Sequence, residues 1–314
     1  MDYVSLGRSG LWSSVIGLGG GSSGRFGLKG GGTRADAVRL IRTALDEGVT
    51  FFDGAGLAGG VDEILGEALA GWRDRVLVAT KVHLGPDPAP LAGTMLAHRA
   101  SGWFARRRGT VCSGRALRNQ VERALRQLRV DHVDLLSLHA LTARQYPLAL
   151  ERALPELARL KDEGKVRAIG VTESFLRDPR HAMLRAAIAD AQFDTVMVGF
   201  NLRNRSAAET VIPAASAAGT GVIGMFALRG LVAAPALAER LAALAGEAGI
   251  GSLADLAYRF CRHQPGIGVV LTGTGDPVHL RQNIAAALAA PLAREVLERL
   301  EAILADSDAP GPQA

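Results

Sequence analysis

The stretch TFFDGAGLAGGVDEILGEAL, Thr50 to Leu69, decides the fold. Its opening TFF reads as a short buried strand, Asp53 stands at the strand's C-terminal end, and glycines then turn the chain. From Val61 the apolar residues recur at helical spacing: Ile64, Leu65, Ala68 and Leu69. The stretch is one strand–turn–helix unit with an acid at its joint.

The same unit repeats in both directions. Strands are expected at 15–18, 50–52, 76–80, 133–138, 168–171, 195–198, 222–225 and 269–272. Helices are expected at 34–47, 61–70, 114–128, 148–163, 180–189, 206–218, 252–262 and 277–289. Thr33 is placed to cap the first helix, and Ser206 with Glu209 reads as a capping box. Eight such units predict an α/β protein of the (β/α)8 TIM-barrel type, with reactive groups at the C-terminal ends of the strands.

Composition sets the remaining bounds. The chain has 314 residues, 48% of them hydrophobic and 21% charged, enough to bury one large core. No linker divides it, so residues 1–306 are expected to form a single domain and 307–314 a disordered tail. No signal peptide or membrane span is read, and Cys112 and Cys261 have no metal spacing; the expectation is a cytoplasmic protein without a metal. The net charge of +5 is mostly scattered arginine, its one cluster being Arg106–Arg108, and no nucleic-acid reader accompanies it. A small-molecule partner is expected, with the oligomeric state left open.

The barrel rule converts position into place. Asp53 follows the second strand, Lys81 the third and His139 the fourth, so all three should face one mouth. Each alone would read as a cap, a solvated lysine or a packing histidine. Three titratable groups on successive strand ends point to catalysis instead.

At these residues the chain resembles the aldo-keto reductase family. The likeness runs from LGRSGL (Leu6 to Leu11) through FFDGA, GEAL, VATK, HVDLLSLH, GKVRAIGV, GFNLRNRS and GVIGMFALRG to GTGDPVHLRQN (Gly273 to Asn283). The resemblance implies a barrel that binds a nicotinamide cofactor without a Rossmann domain and passes hydride to a carbonyl. It also implies four polar residues: an acid, a tyrosine five positions later, a lysine and a histidine. Three fall on Asp53, Lys81 and His139, and the tyrosine falls on Ala58. In the family the tyrosine is the proton donor, and alanine has no proton to give. General acid catalysis is worth about 10²–10⁴-fold in rate, so the proton step is expected to be altered. Substitutes considered for the pocket are Tyr146, His83, Lys81 or His139 themselves, and water.

For the cofactor, the resemblance places Phe226, Ala227, Leu228, Arg229 and Gly230 at the pyrophosphate. Gly273, Thr274 and Gly275 fall at the adenosine end, where a helix N-terminus suits an anion. Gln282 and Asn283 fall where the family contacts adenine. Thr172 and Glu173 replace the family's Ser-Asn at the carboxamide, and Met197 replaces a common glutamine; Glu173 is also a candidate new acid. NADP or NAD is expected. The family slightly favours NADP, while Asp276 would repel its 2′-phosphate unless Arg281 compensates. The long connection 82–113 is expected to cover the substrate, with Trp103 and Phe104 as apolar contacts.

The expected function is therefore an NAD(P)-dependent oxidoreductase acting on a carbonyl- or iminium-type metabolite, with an altered proton-donor step. The alternatives are a non-redox dehydratase, isomerase or cyclase in the same pocket, or a non-catalytic nicotinamide-cofactor-binding protein.

Overall fold

A computed structural model describes residues 1–21, 24–56, 60–85, 111–231 and 233–308. Eight parallel strands close into a barrel: β3 (Ile16–Gly19), β4 (Phe51–Asp53), β5 (Leu77–Val82), β6 (Val133–Leu141), β7 (Val166–Glu173), β8 (Thr195–Gly199), β9 (Gly221–Met225) and β10 (Val269–Thr272). Closure comes from β10, which pairs with both β9 and β3. The fold is the (β/α)8 barrel that the repeating unit implies. β5, β6 and β7 run past their expected C-terminal ends, because the ladder continues through Lys81↔Ser137 and Leu141↔Glu173. Lys81, His139 and Glu173 therefore lie within strands, where pleat parity fixes the direction of each side chain.

Parity sorts the core into two layers. Phe51, Leu77, Ala79, Leu135, Ala168, Met197, Ile223 and Val269 form one apolar cluster and fill the barrel. The alternate residues, such as Phe52, Val78, Leu136 and Val171, pack outward against the helices. Leu6 and Leu11 join the inner cluster from a hairpin that sequence reading missed, β1 (Tyr3–Ser5) with β2 (Trp12–Ser14). Its turn docks on the barrel by a hydrogen bond from Arg8 N to Gly219 O at 2.7 Å. Gly7 allows this approach: it has φ +55°, and a Cβ there would overlap the backbone of residues 219–221.

The helical layer comprises α1 (Arg34–Asp46), α2 (Val61–Ala68), α3 (Gly114–Leu128), α4 (Tyr146–Arg152), α5 (Leu154–Asp162), α6 (Ala182–Ala189), α7 (Val211–Ala217), α8 (Pro235–Glu247), α9 (Leu253–Arg262), α10 (Pro277–Leu288) and α11 (Arg294–Asp308). Thr33 and Asp36 form a capping box on α1. Ser206 does not cap: it opens a 3₁₀ turn, and its hydroxyl engages Asn204 Oδ1 at 2.6 Å and His181 Nε2 at 3.0 Å. The single helix expected at 148–163 is two helices, because Pro155 in the first turn of α5 has no N–H to continue the ladder of α4. Two further helices, α8 and α11, pack with α9 through Leu237, Leu241, Leu256, Leu300 and Leu304 as a separate cluster. Helix α11 runs to Asp308, into the stretch expected as tail.

Candidate active site

The C-terminal mouth of the barrel gathers its polar side chains by parity. Asp53 ends β4 on the same face as Phe51, and Lys81 lies on β5 two residues beyond Ala79, which pairs with Asp53. The Lys81 ammonium donates to the Asp53 carboxylate and, at 2.7 Å, to Gly54 O. Both side chains are about 5% exposed, so one acid and one carbonyl hold the ammonium in a nearly dry place. Burial pushes the Asp53 carboxyl up, and Lys81 opposes that shift by charge and hydrogen bond.

Behind this pair stands Asp62, on the first turn of α2 and fully buried. It accepts from Thr80 Oγ1 at 2.6 Å and from Ala55 N at 3.0 Å, tying the turn after β4 to β5. Burial raises its carboxyl to about 6, and Asp53 adds to the rise; the two donors and Lys81 oppose it. Gly56, at φ +64°, lets the turn pass beneath Lys81, because a Cβ there would overlap the Lys81 carbonyl.

Two histidines complete the same side of the mouth. His139 follows Ser137 on the inward face of β6, and His83 follows Lys81 at the end of β5. Their rings meet edge to face, with centroids 4.6 Å apart and planes at 72°. Gln120 of α3 clamps the His83 backbone, accepting from its N–H at 3.0 Å and donating to its carbonyl at 2.9 Å. Thr172 Oγ1 accepts the Ala140 N–H at 2.7 Å and lies 3.5 Å from His139 Nδ1. Thus Asp53, Lys81, His83, His139 and Thr172 converge on one mouth.

Three expected site residues face elsewhere. Glu173 is adjacent in sequence to the inward Thr172, so the pleat turns it outward. Its Oε2 lies 2.7 Å from His181 Nδ1 and its Oε1 accepts the Gly199 N–H at 2.7 Å, which leaves it committed to the scaffold rather than to a carboxamide or an acid step. Tyr146 is buried in the helical layer, packed toward Phe193 with its hydroxyl 2.8 Å from Asp190, and it does not line the pocket. Burial, then Asp190, pushes that phenol up, opposite to what a proton donor needs. Asn283 donates inward to Thr272 Oγ1 at 2.9 Å, which anchors α10, while its neighbour Gln282 is exposed. Ala58, Trp103, Phe104 and the Arg106–Arg108 cluster lie outside the described residues.

The loops suited to a dinucleotide adjoin this mouth. A cleft of about 720 Å³ runs between residues 24–39 and Gly273–His279, bordered by Asp36, Arg39 and Asp276. Its floor is glycine backbone: a Cβ on Gly275 would overlap the Cα of Gly27. Asp276 caps α10 by accepting from Val278 N at 2.7 Å, and Thr274 Oγ1 accepts from Asp276 N at 3.0 Å. After β9, Phe226 takes φ +74° and lies between Phe175 and the Arg229 guanidinium, which sits 4.5 Å from its centroid. Ala227 is buried, Leu228 is exposed, and Gly230 turns the chain at φ +87°. Exposed backbone, one cation and a helix N-terminus fit a pyrophosphate. Arg281 pairs through its Nε with Glu47 at 2.7 Å.

Asp62, Gln120 and His181 escaped sequence reading. An acid in the first turn of a helix reads as a favourable exposed charge, and nothing in the neighbouring residues announces its burial. Among the described residues no group of His, Cys, Asp and Glu could hold a metal ion, and no helix is long and apolar enough to cross a membrane.

A closed eight-stranded barrel with an acid–lysine pair, a histidine and a glycine-lined cleft at its C-terminal mouth is the build of an aldo-keto reductase. The sequence profile of the Aldo/keto reductase family matches residues 15–305, and the chain belongs to that family. It is 29% identical over 220 residues to aldo-keto reductase YhdN of Bacillus subtilis, covering 68% of this chain and 58% of that protein. It is 31% identical over 188 residues to 6-dehydroglucose reductase of Novosphingobium aromaticivorans, covering 56% of this chain and 52% of that protein. It is 28% identical over 177 residues to L-galactose dehydrogenase of Arabidopsis thaliana, covering 55% and 48%. The matches thus span about half the length of these curated relatives. A solved structure from Pseudomonas aeruginosa, described as an aldo-keto reductase, superposes with a TM-score of 0.64 at 26% identity, over 91% of this chain and 93% of that one.

Proposed function

We propose that the protein is a nicotinamide-dependent oxidoreductase that reduces a carbonyl- or iminium-type small molecule, with a proton step that differs from the family's. The observation that carries this is the Lys81 ammonium, held dry by Asp53 and the Gly54 carbonyl beside an inward-facing His139. A reduced nicotinamide, when bound, supplies hydride. The residues of the chain supply the rest. Lys81 offers positive charge where an oxygen gains electrons, and its two fixed acceptors spare it reorganisation during the reaction. His139 orients that oxygen from β6. The apolar filling below them, led by Phe51, Leu77 and Leu135, keeps water from entering through the barrel.

Gly273–Gly275, the α10 N-terminus and Arg229 are the groups suited to the cofactor's phosphates. For the ribose, two carboxylates, Asp36 and Asp276, border the cleft against the guanidinium of Arg39, which already pairs with Asp36, and the imidazole of His279, 3.7 Å from Asp276. That balance favours the uncharged 2′-hydroxyl of NADH over the 2′-phosphate of NADPH. Cys112 and Cys261 are both buried.

Tryptophan fluorescence titrated with NADH and with NADPH tests the proposal. Saturable binding, tighter for NADH, is the expected result, and no binding of either at millimolar concentration would overturn it. The alternative of a non-redox enzyme rests on Ala58, which leaves the position of the family's phenol without a proton. Ala58→Tyr separates the two: a gain in aldehyde reduction speaks for hydride chemistry, and no gain speaks for a remodelled pocket.

A further inference from the structure

We infer that His83 and His139 act as one coupled imidazole pair, and that this pair is the general acid of the mouth. The inference rests on the carbonyl-reduction reading and supplies the step which that reading leaves open.

Two facts place the pair. His83 continues the inward parity of Leu77, Ala79 and Lys81, which brings its ring to the edge-to-face contact with His139. Its backbone is clamped on both sides by Gln120, so the ring projects from a fixed base rather than from a free loop. Among the described residues, the groups near the pair include the Lys81 ammonium with Asp53, the Thr172 hydroxyl beside His139, the Cys112 thiol 3.8 Å from the His83 carbonyl, and Asp62 behind β5.

The contact geometry suits a single positive charge. An imidazolium edge against the face of a neutral imidazole is attractive, whereas two imidazolium rings at 4.6 Å repel. Such a pair releases its protons in two macroscopic steps that belong to both rings. Between those steps it holds one proton, on the side chain type whose ordinary titration lies nearest neutral pH. This is the state a general acid needs.

The step balances. A bound reduced nicotinamide would supply the hydride for the new C–H bond, the carbonyl π pair would move onto oxygen, and that oxygen would take the imidazolium proton. Alcohol, oxidised cofactor and a neutral imidazole pair result, and solvent returns the proton to the pair. Lys81 stabilises the charge on oxygen and keeps its own protons.

The test uses the full-length protein, NADH or NADPH, and 4-nitrobenzaldehyde as probe, together with NMR titration of ¹³C-labelled histidine in cofactor-free protein. His83→Phe is expected to lower kcat by about 10²–10⁴-fold with NADH affinity retained. The Ala58→Tyr/His83→Phe double variant is expected to recover much of that loss. His83→Asn, which keeps a polar amide without a titrating proton, is expected to lose as much as His83→Phe, so a folding defect in one variant does not decide the matter. In the wild type the two rings should titrate together in two steps, and in His83→Asn His139 should titrate in one. Unchanged kcat in both single variants, or independent one-step titrations in the wild type, would overturn the inference and leave the oxidoreductase reading intact. A wild type that reduces the aldehyde with neither cofactor would overturn both.

Discussion

Two buried acid–base pairs lie in the same barrel, on either side of β6. Asp53 with Lys81 and Glu173 with His181 are both nearly closed to solvent, and in each the acid is pushed up by burial and pulled back by its partner. What separates them is one step of the strand pleat. Asp53 and Lys81 share parity with the residues that fill the barrel, so the ammonium faces the mouth. Glu173 has the opposite parity and sits between strand and helix, where His181 and the Gly199 N–H take both of its oxygens. A buried charge becomes available for chemistry when its face opens on the lumen. On the other face the same chemistry is spent on joining elements.

Substitutions should separate the two pairs. Lys81→Ala is expected to have the largest effect, lowering carbonyl reduction by at least about 10²-fold and leaving Asp53 as an unpaired buried acid, a loss of about 3–5 kcal/mol in stability. Steady-state kinetics and urea unfolding measure both. Glu173→Leu should lower stability by about 3 kcal/mol, through the orphaned Gly199 N–H and His181, while kcat holds within a few-fold. A collapse of kcat with stability kept would reverse the roles assigned to the two faces.

Asp62 supplies a test with a definite sign. Its carboxyl stands at about 6 in the folded chain against an ordinary 3.8, so its protonated form favours folding. The stabilisation is complete below about pH 4 and is lost as pH rises through about 6, a change of about 3 kcal/mol. Asp62→Asn can accept from Ala55 N and donate to Thr80, so its stability should not show this fall. Parallel pH profiles for the two proteins would refute a raised carboxyl. The smallest expected effect is at the cleft. Asp276→Asn keeps the cap on α10 and removes its charge, so NADPH should bind about five- to tenfold tighter with NADH unchanged, read by fluorescence titration.

The residues that were legible in the sequence and those that were not divide on the same physical line. Asp53, Lys81 and His139 could be found because the barrel rule needs only the position of a strand end. Glu173 and Tyr146 were misplaced because direction depends on where a ladder stops and on which helices meet. Residue 173 still belongs to β7, and Tyr146 points into the space beside Asp190. Helix α8 did carry a signal, with Leu237, Leu241 and Leu244 at helical spacing, but it adds a second helix where the repeating unit allows one. The strands of the hairpin are three residues each, too short to show a period. The His83–His139 contact joins residues of neighbouring strands, and it depends on a register that spacing alone does not set.

The clasp made by Asp62 joins the end of β4 to both β5 and α2. Ala55 is tied to α2 through the Asp62 carboxylate, Gly56 passes beneath the Lys81 carbonyl, and α2 resumes at Val61. The described residues at the two ends of this turn, Ala55 and Gly56 on one side and Val61 on the other, are thus fastened by backbone and by a buried acid. One buried carboxyl thereby serves three neighbouring elements at once, so a single substitution at Asp62 reaches the turn after β4, strand β5 and helix α2 together.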